Sequence, residues 1–309
     1  MENKLIKTMK KLVLLLISFV FACNSGNNKQ NNSSKELESI IQDYNDHKGY
    51  DKEKYPLGLQ TKAFYKEEAD YAEQLLKKFD NIKVDELNEN EQISVELLKF
   101  VLQDKIDFYT FESFLNPLLS DSGFHSDLNY MVRPLTDLKS ANEYLNKLNA
   151  IPDFVNQGLL NLREGLEKGV SQPLVIFKGY ESTYNKHIVD NFEESFFFSP
   201  FKNLPENLSQ IQKDSIKLAA QNAINKNVTP EFIRIKTFFE TEYLPKTRTT
   251  LGVSETPNGK ALYQNRINYY TTSTQYSAED IHHIGLKEVA RIKEQMEQII
   301  SELDFKGSF

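Results

Sequence analysis

The chain has 309 residues, with 37 Lys and Arg against 44 Asp and Glu and a formal charge of −7. Basic residues are scattered and not striped, which argues against nucleic-acid binding, and 39% hydrophobic with 26% charged residues describe an ordinary globular chain with room for one large or two ordinary domains. A single cysteine excludes an intramolecular disulfide and a cysteine-based metal site, while 15 Tyr and 21 Phe with no Trp predict an aromatic interior whose buried phenols must find hydrogen-bond partners.

In chain order, Lys4, Lys7, Lys10 and Lys11 form a positive head, Leu12 to Phe21 an apolar run, and Val20-Phe21-Ala22-Cys23 has the form of a bacterial lipoprotein cleavage box. A run of about ten residues spans only ~15 Å as a helix, half of the ~30 Å bilayer core. Residues 1–22 therefore read as a signal peptide and Cys23 as the lipidation site. Residues 23–35 are small and polar and read as a flexible tether. The expected location is the bacterial cell envelope, on a membrane through lipid at Cys23, facing the periplasm or the cell surface. A helical domain is expected over 36–309.

Leu37, Ile40, Ile41 and Tyr44 mark a first helix ending near His47 to Gly49. Glu67 to Phe79 and Asn90 to Phe111 read as two more, the second capped by Asn88, with apolar faces of Tyr71, Leu75, Leu76 and Phe79 and of Ile93, Leu97, Phe100, Val101 and Ile106. Thr136 starts a helix that Ile151-Pro152 breaks, and Asp153 to Lys168 is expected as a separate helix closed by Gly169. Another helix is expected from Leu174 through Ile188. Ser195 to Phe201 is the densest aromatic cluster, either a plug that packs a loop onto the helices or part of a groove floor. Asp214 to Asn225 and Thr229 to Tyr243 read as two helices, with Thr229 as cap and Pro230 at the first helical position of the second.

Within Asn258 to Tyr270, the residues Leu262, Tyr263, Arg266, Ile267 and Tyr270 share a helical face. A guanidinium among aromatics can clamp a carboxylate at two points; alternatively, its stem covers apolar surface while its head meets a nearby Glu. The last helix is the best determined. Ser277 caps it with Asp280 three residues on, and Ile281, Ile284, Val289, Ile292, Met296, Ile299 and Leu303 form one stripe. Gly285 lies on that stripe and predicts that another backbone approaches there. Helices dominate throughout, so the fold class is all-α, a multi-helical array.

No residue pattern assembles a catalytic centre. The histidines form no His-Glu-x-x-His pair, and adjacent His282 and His283 point about 100° apart on a helix, so they do not chelate one ion together; His282 or His283 is either a ligand or proton carrier or a surface or packing histidine. No phosphate loop, dinucleotide fingerprint or nucleophile elbow is present, and no metal site is read from the sequence.

A family resemblance adds to this. Glu242-Tyr243-Leu244-Pro245, Gly252, Pro257-Asn258-Gly259, Tyr263, Tyr269-Tyr270-Thr271-Thr272 and Ser277 to His282 running into Gly285 to Ile292 resemble the bacterial domain-of-unknown-function family DUF885. Asn116-Pro117-Leu118-Leu119, Gly165 through Pro173 and Ser199-Pro200-Phe201 look like it too. That family is similar to helical zinc-dependent metallopeptidases whose His-Glu zinc motif lies in the C-terminal half. The resemblance therefore implies the N-terminal portion of a larger metallopeptidase-like fold, inactive alone, with zinc held only in full-length relatives and a missing C-terminal half as partner. The segments around Arg266, Tyr263, Tyr270 and His282 would form a wall enclosing a peptide substrate. The alternative is a non-catalytic binding or scaffold lipoprotein whose helices present a groove or partner surface.

Overall fold

A computed structural model of the protein describes residues 31–303 and 305–307. The expected signal peptide, Cys23 and the tether as far as residue 30 lie outside the described residues. The described residues are helical and contain no strand, only an isolated parallel bridge between Pro173 and Arg248. None of their helices is long and apolar enough to cross a membrane. The described residues divide into two compact units, 31–46 with Leu75–Leu98, and His47–Gln74 with 99–307.

In the smaller unit, α1 (Asn32–Asp46) begins four residues before the expected start at Glu36. The Asn31 carboxamide accepts from the Ser34 N–H at 2.7 Å, and the Ser33 hydroxyl accepts from the Lys83 N–H and donates to Glu86, each at 3.2 Å. Ser33 and Ser34 are buried, so Asn32 to Lys35 form a first helical turn and not tether. Leu37, Ile40, Leu75, Phe79, Ile82, Leu87 and Val95 are this unit's buried apolar residues.

Two helices, α2 (Lys62–Lys78) and α3 (Glu89–Thr110), contribute residues to both units. Asn88 caps α3 as expected, in a reciprocal pair with Glu91. The expected inner face of α3 is corrected: Ile93, Leu97 and Val101 are exposed, and the fully buried positions are Val95 and Leu102. Apolar residues occur on several sides of this helix, so their spacing alone does not single out the buried side.

The larger unit is built along α4 (Leu138–Glu167), a 30-residue helix with Pro152 inside it. The expected break at Ile151-Pro152 does not occur. Asp137 and Ser140 form a capping box, and Ala141, Leu148, Ile151, Val155, Leu159 and Leu162 bury one continuous face. Burying several aliphatic side chains, each worth about 1.5–3 kcal/mol, outweighs the ~3 kcal/mol cost of an interior proline.

Packed on α4 are α5 (Gln210–Ala223) and α6 (Thr229–Phe238), which are one rod rather than the two separate helices expected. A π-helical turn, Ile224–Val228, joins them, and a second, Phe239–Tyr243, extends α6. Thr229 is itself helical (φ −56°, ψ −45°), closing the π-helical turn through its N–H to the Ile224 carbonyl, and is not the N-cap of α6. Pro230 follows the widened turn, where the regular hydrogen-bond ladder is already interrupted and a missing N–H costs least.

The stretch expected as a helix from Leu174 to Ile188 is instead a 3₁₀ turn at Leu174–Phe177, a break at Gly179 (φ +81°) and a single helical turn at Ser182–Asn185. Phe177, Tyr180 and Tyr184 from this stretch pack with Phe239 and Tyr243. Phe197, Phe198 and Phe201 are buried in the same core, so the aromatic cluster is a plug. Three of the buried phenols find partners: Tyr144 donates to the Phe197 carbonyl at 2.9 Å, Tyr180 to that of Ser122 at 3.1 Å, and Tyr243 to Asn116 at 2.8 Å. After α6 come α7 (Gly259–Thr271) and α8 (Ala278–Glu302). The Ser277–Asp280 capping box forms as expected, but α8 buries none of its residues. Nothing lies within 4 Å of where a Gly285 side chain would sit, so among the described residues no backbone approaches that glycine.

Candidate functional site

Tyr243 organises the site from beneath. Its hydroxyl donates to Asn116 and accepts from the Gln172 N–H at 3.1 Å, while the Gln172 side chain donates to the Leu118 carbonyl at 2.7 Å. These bonds hold Asn116–Leu119 beside Val170–Gln172 as two walls of a groove of about 540 Å³. The loop from Arg248 to Pro257 and the face of α7 carrying Leu262, Tyr263 and Arg266 complete it, with Phe111, Glu112 and Ser113 at one end.

Two glycines allow this assembly. At Gly165 a Cβ would lie 2.5 Å from the Leu115 carbonyl oxygen, and at Gly259 one would lie 1.8 Å from that of Val253. Asn258 precedes Gly259 in the left-handed region (φ 56°), which asparagine tolerates better than most residues. Stretches that carry the family resemblance thus meet in one place: Asn116–Leu119, the segment after Gly165, Pro257-Asn258-Gly259 and Tyr263.

The charges divide into paired and unpaired. Glu112 takes hydrogen bonds from Lys62 at 2.8 Å and from Lys168 at 2.7 Å, and Lys168 also pairs with Glu164 at 2.9 Å. Burial alone would raise the Glu112 carboxyl, but the two lysines outweigh it and hold it below the usual range. Arg266 donates to Asp104 at 2.8 Å and to Asn265, and lies 4.9 Å over the Tyr269 ring. The acidic partner of Arg266 is an aspartate on α3 and not the glutamate expected. Arg248 is different. Its Nε donates to the Ser171 carbonyl at 2.8 Å and its Nη1 to the carbonyls of Thr250 and Gly252, the latter at 2.8 Å. It makes no ion pair, and its Nη2 no protein hydrogen bond, among the described residues.

Of the four residues singled out from the sequence, Arg266 and Tyr263 line the groove. Tyr270 is 79% exposed and packs edge-on against Tyr269, and His282 is exposed on α8; neither reaches the groove. The sequence reading missed Arg248, whose only signal was a cation in a loop between two resemblance stretches.

The zinc implied for relatives finds no donor set here. His47 bonds Glu68 and His125 bonds Thr183, His187 lies among Phe196, Phe197 and Phe232, and His282 and His283 are exposed. Among the described residues no group of three or more His, Cys, Asp or Glu is placed to hold a metal ion.

The family model described as bacterial protein of unknown function (DUF885) matches residues 47–309. Among curated proteins nothing matches the chain. Among solved structures, the crystal structure of a "putative lipoprotein" from Colwellia psychrerythraea matches with a TM-score of 0.68 and 19% identity, over 80% of this chain and 45% of that one. The two share a fold, and this chain spans less than half the length of that relative.

Proposed function

This chain belongs to the bacterial protein family of unknown function DUF885, and from that premise we propose that it is a lipid-anchored envelope protein whose groove binds a peptide-like ligand. The carrying observation is that four of the stretches resembling the family, at Asn116–Leu119, Val170–Gln172, Pro257 and Tyr263, line one groove together with apolar side chains, amide groups and two guanidinium groups. Ligand sites have this make-up: mostly apolar walls with a few placed polar groups. In longer relatives the groove would form one side of a peptidase-like substrate channel, with zinc and the general base supplied from elsewhere. The residues described here bind and orient and carry no step of hydrolysis.

The lipid anchor rests on the Lys-rich head, the short apolar run and Cys23, and a neighbour described as a lipoprotein accords with it. Blocking the lipoprotein signal peptidase is expected to leave a larger, unprocessed form, and normal processing under that block removes the anchor from the reading. Ligand binding is tested by titrating the full chain with short apolar peptides while following calorimetric heat. Saturable binding that Tyr263→Ala weakens is expected; no heat from any peptide sinks the binding role. A second reading, a non-catalytic scaffold lipoprotein, is favoured by the uncovered apolar side of α8.

A further inference from the structure

We propose that Arg248 is the seat for a carboxylate in this groove, so that the ligand is an apolar peptide held by its free C-terminus; this deepens the peptide-binding reading and rests on it. A guanidinium is charged at every physiological pH and presents its donors in a planar fork. In Arg248 three of the hydrogen bonds from that fork run to neutral carbonyls, those of Ser171, Thr250 and Gly252. These bonds fix the plane of the group without neutralising it. The other cations around the groove are answered by carboxylates: Arg266 by Asp104, and Lys62 and Lys168 by Glu112. Arg248 alone among these four brings an unanswered positive charge to a groove whose adjoining walls include Leu118, Val253 and Leu262.

The complement to such a site is one negative charge on an apolar body. A peptide C-terminus fits: a carboxylate for Arg248, an aliphatic or aromatic last side chain for the walls, and a preceding amide for Asn116. The Asn116 carboxamide oxygen is already taken by Tyr243, which leaves its nitrogen as a donor toward a ligand carbonyl.

The probe is N-acetyl-Ala-Leu-Phe with a free carboxylate, compared with the same peptide as its C-terminal amide, on the unaltered full chain by calorimetry. The acid is expected to bind at least about tenfold more tightly, as loss of a charge-assisted hydrogen-bonded pair implies. Arg248→Gln is expected to erase the difference between acid and amide, and Arg248→Lys to restore part of it, with thermal melting confirming that each variant is folded. Equal affinity for acid and amide on the unaltered chain overturns the carboxylate assignment while leaving peptide binding intact. A preference that survives in folded Arg248→Gln overturns the assignment to this residue. Absence of binding by either peptide removes the underlying groove reading as well.

Discussion

His187 is fully enclosed, with ring centroids of Phe232 at 4.4 Å and Phe197 at 5.0 Å, and both of its ring nitrogens are buried without a hydrogen-bond partner among the described residues. His125 is also buried. Its Nε2 meets the Thr183 hydroxyl at 2.9 Å, and because that hydroxyl donates to the Tyr180 carbonyl, Nε2 carries the proton and Nδ1 is a bare acceptor. Burial lowers both rings, His187 to about 4 and His125 to about 3, with the positive charge of Lys186 adding to each. The unfolded chain protonates these rings near pH 6.5, so between about pH 4 and 6.5 it binds more protons than the folded chain. Stability therefore rises with pH in that window and is lost on acidification, by about 1.4 kcal/mol per pH unit for each ring. His187→Phe is expected to shrink the stability difference between pH 8 and pH 5 by about 2 kcal/mol in urea unfolding. An unchanged difference would mean that the ring is not held neutral. Such residues are invisible to a reading by period: Arg266 stood out because a helix repeats around it, whereas Arg248 sits in a loop with no repeat.

At the scale of elements, the two glycines most alike on paper differ most in surroundings. Gly165→Ala on α4 would drive a methyl against the Leu115 backbone carbonyl, and a loss of about 2 kcal/mol or more is expected. Gly285→Ala on α8 meets open space and should gain about 0.5–1 kcal/mol of local helix stability, read as slower amide hydrogen exchange along α8. A gain at Gly165, or a loss at Gly285, would contradict the packing described. The sequence made the extents of α1, α3 and α8 legible to within a few residues, the last two through local caps at Asn88 and Ser277, while the buried side of α3 was not legible. Periodicity misjudged Pro152 and the junction at Thr229 because packing along α4 and π-helical turns decide those places. The Leu174 to Ile188 stretch was misread for a related reason: its aromatic residues serve a shared core and not a helix face.

For the whole molecule, the all-α class followed from composition and spacing, and the groove did not, since its walls come from four stretches brought together only by folding. The feature that matters most beyond the groove is α8. Val289, Ile292, Met296, Ile299 and Leu303 are 40–75% exposed, forming a longer apolar stripe than a solitary soluble helix ordinarily shows to water. Self-association of the chain is expected in analytical ultracentrifugation. The double substitution Val289→Glu and Met296→Lys should reduce it without lowering the melting temperature, because no described core includes these side chains. A monodisperse parent chain, or a variant that no longer melts cooperatively, would show that the stripe is already in use. Among the described residues the main packing of α8 on another element is against α7, and Gln264 of α7 donates to the Tyr276 carbonyl in the linker before α8, so the linker from Ser273 to Tyr276 is a natural graft point. A protease could clip there, or a different C-terminal module be spliced on, and the groove upstream would keep its shape.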